Sequence, residues 1–189
     1  MKHPCWFLSL LLLNPLLADT PGKGTDHPDP KGDYLFKRVN PEMDITNVNL
    51  ERQSNLRMRV TVTFAGDLPA KPAPRPYRLW LKLELDGDET TGQQEPGLKG
   101  LDMAIAINGS SYKEKWTSYD VPKSPAGEKS DVKIQTIIAR PHELTFVITG
   151  KLLDQKIPAK LSLSTCTESA AIVDIFPDRG WLVILAKAP

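Results

Sequence analysis

From Tyr34 onward the chain repeats apolar side chains at every second position, and this period fixes its fold class before composition is considered. Successive side chains of an extended strand point to opposite faces of a sheet, so alternation marks strands with one face in a core and one face out. Leu56, Met58, Val60, Val62 and Phe64 share one face, and Arg57, Arg59, Thr61 and Thr63 the other. Tyr77, Leu79, Leu81, Leu83 and Leu85 repeat the pattern against Arg78, Trp80, Lys82 and Glu84. Met103, Ile105 and Ile107 continue it, followed by Val132, Ile134 and Ile138, then Leu144, Phe146 and Ile148. No window keeps a helical period beyond about three turns, and Lys151 to Gln155 offers one turn at most. Asn108-Gly109 suits a two-residue hairpin, and Pro141-His142 makes a second tight connection. Short strands about ten residues apart, with turn signals and no helices between them, predict a single all-β antiparallel sandwich of about nine or ten strands. Pro69, Pro72, Pro74 and Pro76 are expected to form a stiff surface loop inside this domain, which spans residues 34–189.

The first 18 residues stand apart. Lys2 and His3 precede an apolar run from Trp6 to Leu13, and Leu16-Leu17-Ala18 leads into polar Asp19-Thr20. This is the pattern of a secretory signal peptide, too short for the roughly 20 apolar residues that span a bilayer. The expectation is a chain exported to the periplasm or the extracellular space, with no membrane span once residues 1–18 are removed. Residues 19–33, rich in Pro and Gly among polar side chains, are expected to be a flexible leader.

Charge narrows the function classes. The chain has 24 basic and 23 acidic residues, and losing Lys2 with the signal peptide leaves equal numbers. A nucleic-acid partner is therefore not expected, because phosphates demand a basic excess. Of the two cysteines only Cys166 lies beyond the signal peptide, so no internal disulfide is available. Thr165, Thr167 and Glu168 provide no cation to activate its thiol, which is expected to be a buried residue beside Leu161 and Leu163.

Two stretches can carry chemistry. Asp86-Gly87-Asp88-Glu89-Thr90-Thr91-Gly92 follows directly on a strand ending in Leu85. Asp86 and Asp88 either cap this turn by accepting backbone N–H bonds or converge on a hard cation such as Ca²⁺, with Glu89 and Asp102 as further ligands. The EF-hand spacing is not met. The aromatic residues Trp80, Trp116, Tyr112 and Tyr119 are the candidate ligand platform, because the apolar face of a sugar ring packs on an aromatic ring. Each Trp also has a structural reading: Trp80 stacked on the stems of Arg57 and Arg59, and Trp181 packed in the core.

The run from Tyr77 through Leu85 into Asp-Gly-Asp-Glu-Thr-Thr-Gly92, continued by Gly100 to Ile107, resembles exported bacterial β-sandwich domains of the carbohydrate-binding-module family 9 and DOMON-like type. Asp44 to Val48 is similar to their opening strand, and Asp174 to Gly180 to their Asp-x-x-Pro-Asp-x-Gly turn. The resemblance covers roughly residues 34–187 and implies a jelly-roll-like recognition module, binding sugars in some members and haem in others. Haem is not expected, because Met58 and Met103 face the core and only His27 and His142 are available as histidines beyond the signal peptide. Nor is catalysis: His142 sits on a turn as a solvated residue, and no G-x-S-x-G elbow, zinc spacing or phosphate loop occurs. The expected function is a non-catalytic ligand-binding module for carbohydrate or a cell-envelope component, with room for a structural Ca²⁺. The alternative is a structural or protein-interaction module of the envelope without a small ligand.

Overall fold

The computed structural model describes residues 24–32, 41–54, 56–74, 76–95, 97–122, 131–150, 159–166, 172–178 and 180–184. The expected signal peptide and the helical turn at 151–155 lie outside the described residues. The strands in chain order are β1 (Thr25–Pro28), β2 (Ile45–Ser54), β3 (Arg57–Phe64), β4 (Tyr77–Glu84), β5 (Gln93–Glu95), β6 (Leu98–Leu101) and β7 (Met103–Gly109). They continue with β8 (Thr117–Pro122), β9 (Lys133–Arg140), β10 (Glu143–Thr149), β11 (Lys160–Cys166), β12 (Ile172–Phe176) and β13 (Leu182–Val183). A 3-10 turn at Pro41–Met43 is the one helical element among the described residues. The fold is all-β, and every strand pairing is antiparallel.

One sheet runs β1-β2-β3-β10-β9 and the other β12-β11-β4-β7-β8, with β13 also beside β11; β5 and β6 form a separate hairpin. The alternation explains the packing between the two large sheets. Val48, Val60, Val62, Phe146 and Ile148 of the first meet Leu79, Leu81, Ile105, Ile107, Leu161 and Leu163 of the second in a single apolar cluster. Each such side chain contributes about 1.5–3 kcal/mol when removed from water. Two polar ties also link the layers: the Asp174 carboxylate accepts the Ile45 N–H at 2.7 Å, and Thr165 Oγ1 donates to Met43 O at 2.7 Å.

The structure departs from the periodic reading where backbone geometry breaks the period. There are more strands than the nine or ten expected, because β1, β5, β6 and β13 are too short to show an alternation. The leader is not uniformly free, since Thr25–Pro28 pairs with β2. This edge needs no apolar side chains: its strength is backbone hydrogen bonding, the Asp26 carboxylate accepts from Asn47 and Asn49, and Asp44 accepts the Gly32 N–H. Ile138 is 47% exposed because Ile148 faces Ile134 while Phe146 faces Ile137, an extra residue on β9 that flips the face of everything after it. Ile134, Ile137 and Ala139 therefore pack on the core instead. Leu56 is 46% exposed in the β2–β3 turn, before the strand enters the sandwich.

The two proposed hairpins divide. Arg140 and Glu143 pair across Pro141-His142, a two-residue connection as expected. Asn108-Gly109 instead remains in strand, with Asn108 opposite Thr117, so the chain turns over residues 110–116. The glycine is required for another reason: a Cβ on it would lie 2.2 Å from the Trp116 ring. The proline segment is held against this turn by Ala73 N–H to Ser110 O at 2.9 Å and Ser111 Oγ to Ala70 O at 3.3 Å.

Candidate ligand cleft and the adjoining acidic cluster

The register of β4 between β11 and β7 builds the outer face of the second sheet. Trp80 lies opposite Ser164 and Ala106, Lys82 opposite Ser162 and Ala104, and Arg78 opposite Cys166 and Asn108. One large ring thus stands among small neighbours. On the β8 side, Tyr119 lies opposite Ala106 and brings its ring edge-on to Trp80, with centroids 6.4 Å apart and planes at 77°. The Arg78 guanidinium sits 5.7 Å from the centre of the Trp80 ring, while its Nε–H donates to Asn108 Oδ1 at 2.8 Å. The cation over Trp80 is thus Arg78 and not Arg57 or Arg59. Those arginines belong to the other sheet, where Arg59 pairs with Glu51 at 2.8 Å.

Beside Trp80 this arrangement leaves a cleft of about 160 Å³. It is lined by Trp80 and Lys82 of β4, Ala104 of β7, Ser164 and Cys166 of β11, Ile172 of β12 and Glu95 of the β5–β6 hairpin. Lys82 is nearly buried, and its Nζ reaches Glu95 Oε2 at 2.8 Å. Among the described residues, Ser164 Oγ is buried with no hydrogen-bond partner other than the nearby Cys166 thiol. Cys166 is buried as expected, but on this outer face and not among the core leucines. Burial pushes its pKa up, against the charges of Lys82 and Arg78 and the hydrogen bonds from Ser164 and Trp80. A thiol held protonated in this way is a poor nucleophile.

Two of the four candidate aromatics do not join this face. Trp116 is 5% exposed in the core, with its indole N–H donating to Ser111 O at 2.9 Å. It cannot serve as a sugar platform, because the chain reverses before it and turns its ring onto Gly109. Tyr112 packs partly against the same core, with Lys113 5.8 Å from its ring centre. Trp181, expected in the core, is only half-buried, and its indole N–H donates to Lys99 O of the β5–β6 hairpin at 3.1 Å.

The hairpin also lies beside the acidic loop. Glu84, Asp86 and Asp102 each bring a carboxylate oxygen within 4.8 Å of the other two, and these three residues can hold a cation. Asp86 and Asp102 were expected here; Glu84 was not, because it falls at an outward position of β4 where the alternation predicts solvent. It is 0% exposed, held by the Gly87 N–H and by Lys160 Nζ at 3.2 Å. Asp88 and Glu89 lie apart from the cluster. Asp86 and Asp88 both take the turn-capping role: Asp86 accepts from Asp88 N–H and Thr91 Oγ1, each at 2.8 Å, and Asp88 accepts from Thr90 N–H at 2.8 Å and Thr90 Oγ1 at 2.6 Å, which lowers the Asp88 pKa. Glu89 pairs with Lys160 at 3.1 Å.

The electrostatics of the cluster are those of crowded acids. Burial holds the Asp102 carboxyl above the usual range, the Asp86 and Glu84 charges add to it, and the Leu85 and Asp86 N–H groups work the other way. Burial disfavours the Lys160 ammonium, yet Glu89 and Glu84 outweigh it and its pKa is raised. Lys160 is in effect a tethered cation among these acids.

His142 lies on the β9–β10 turn with its Nδ1 against Asp67, both exposed, at a surface loop distant in sequence from the cleft residues. No helix of the described residues is long and apolar enough to cross a membrane. No family model, no curated protein and no solved structure matches this chain.

Proposed function

We propose that this chain is an exported, non-catalytic recognition module that binds a carbohydrate in the cleft beside Trp80. The observation that carries the reading is a tryptophan lining a recess on a sheet where its cross-strand neighbours are Ser164 and Ala106. An aromatic face supplies the apolar contact that a pyranose needs, while Ser164, Lys82 and Glu95 can meet its hydroxyls. The likeness of the Tyr77–Leu85 strand and its acidic loop to family-9-type carbohydrate-binding modules points the same way.

The recess is small. A cavity of about 150 Å³ accepts a single benzene ring, so this one suits one sugar ring. About 12 non-hydrogen atoms at roughly 0.3 kcal/mol each give about −4 kcal/mol, a Kd near 1 mM. Affinity-gel retention or a glycan array tests the reading, with Trp80→Ala and Tyr119→Ala as variants. Retention that falls for Trp80→Ala supports it; retention identical in wild type and both variants removes Trp80 from the site. Recovery of a protein partner with no saccharide would favour the interaction-module alternative.

We further infer that Glu84, Asp86 and Asp102 take a structural Ca²⁺. Ca²⁺ takes 6–8 oxygens, so backbone carbonyls or waters would complete the shell. Its role is to pin the acidic loop to the start of β7 and so steady the hairpin that carries Glu95.

A further inference from the structure

We propose, resting on the carbohydrate reading of the cleft, that the ring it takes carries a carboxylate: a uronic-acid-type sugar and not a neutral one. Lys82 lines the recess together with Glu95, the one acid among its lining residues, and Arg78 flanks it, opposite Cys166 on the same face and 5.7 Å from the centre of the Trp80 ring. Among the described residues that line or flank the recess, two cations stand against one anion.

Their hydrogen-bonding capacity is also unspent. Lys82 has three N–H donors, of which Glu95 Oε2 takes one. Arg78 gives its Nε–H to Asn108, and its terminal nitrogens, near the Trp80 ring, have no acceptor among the described residues. A neutral ring entering the recess would strip water from both cations and leave donors unmet, a cost that charged groups make large. A carboxylate accepts from both, in short charge-assisted bonds. The ring then stacks on Trp80 with its acid directed to the Arg78 and Lys82 side, and Ser164 Oγ meets a ring hydroxyl. Glu95 opposes this ligand: it shares Lys82 with the incoming acid and repels it.

Quenching of tryptophan fluorescence in the full chain, titrated with D-glucuronate and with D-glucose, tests the inference. Glucuronate should bind about tenfold more tightly at low salt, with the difference shrinking as salt is raised. Lys82→Gln and Arg78→Gln should each bring glucuronate toward the glucose value. Glu95→Gln should tighten glucuronate several-fold relative to glucose, a gain that a merely structural residue would not produce and that does not depend on the Lys82 variant folding. Glucose binding as tightly as glucuronate, with both lost in Trp80→Ala, would overturn the charge inference and leave the cleft standing. Quenching by neither sugar would sink the cleft and the inference together.

Discussion

The outer faces of the two sheets are built on different terms. On the first, polar side chains of similar length satisfy one another: Arg59 with Glu51, Thr61 with Thr145 at 3.3 Å, and Asn47 and Asn49 with Asp26. On the second, Trp80 is set among Ala104, Ala106, Ser162 and Ser164, and the mismatch in size makes a recess with Arg78 and Lys82 beside it. Sites arise where neighbours fail to fill the space around a large side chain, and a uniformly polar face offers no such place.

A stability series sharpens this contrast. Trp116→Ala should cost about 3–5 kcal/mol in denaturant unfolding, because it empties core volume. Trp80→Ala should cost well under half of that while abolishing ligand binding. Equal losses would mean that Trp80 is core and that the second face is as closed as the first.

The cation reading comes next in size. At about ten times Kd, a ligand bound only to the folded state adds about 1.4 kcal/mol, a rise of about 3–6 °C in Tm for a chain of this length. Millimolar Ca²⁺ in place of chelator should produce it in the wild type, Asp88→Asn and Glu89→Gln. Asp86→Asn and Asp102→Asn should abolish it. No shift in the wild type would leave the acidic corner with Lys160 as its sole counter-charge.

A smaller effect lies in the pH dependence. Asp102 has a folded pKa raised above its unfolded value of 3.8, so the folded chain holds the extra proton between the two. Its contribution to stability is therefore greatest at low pH and falls as pH rises through that window. Asp44 is raised in the same direction by burial, against the Gly32 N–H and the Lys31 charge. Urea midpoints measured upward from about pH 3.8 should fall less steeply in Asp102→Asn than in the wild type, with the Asp44 share remaining. The smallest change belongs to the first face: Thr61→Ala and Thr145→Ala should each shift stability by no more than about 0.5–1 kcal/mol and leave Trp80 fluorescence titrations untouched.

Much of the fold was legible, and the site in part. The alternations at 58–64, 77–85 and 103–107 place core residues correctly because a two-residue period and a buried face are the same fact. Trp80, Tyr119, Asp86 and Asp102 were visible as exposed or loop residues of the right chemistry. Glu84 was not, because an outward strand position reads as solvated until the β5–β6 hairpin is seen lying across it. Trp116 misled for the converse reason: local sequence predicts a strand from Tyr112, whereas the reversal over residues 110–116 carries the ring inward onto Gly109.

The amino-acid order alone determined which side chains alternate, that the layers are sheets, and that an acidic loop follows β4, since each depends on neighbours within a few residues. Only the tertiary structure decided that Ser164 and Cys166 flank Trp80, that Glu84 is covered, and that Trp116 is interior. Those outcomes depend on strand register and on which distant segment lies above a face, and such long-range pairings leave no periodic trace in the chain.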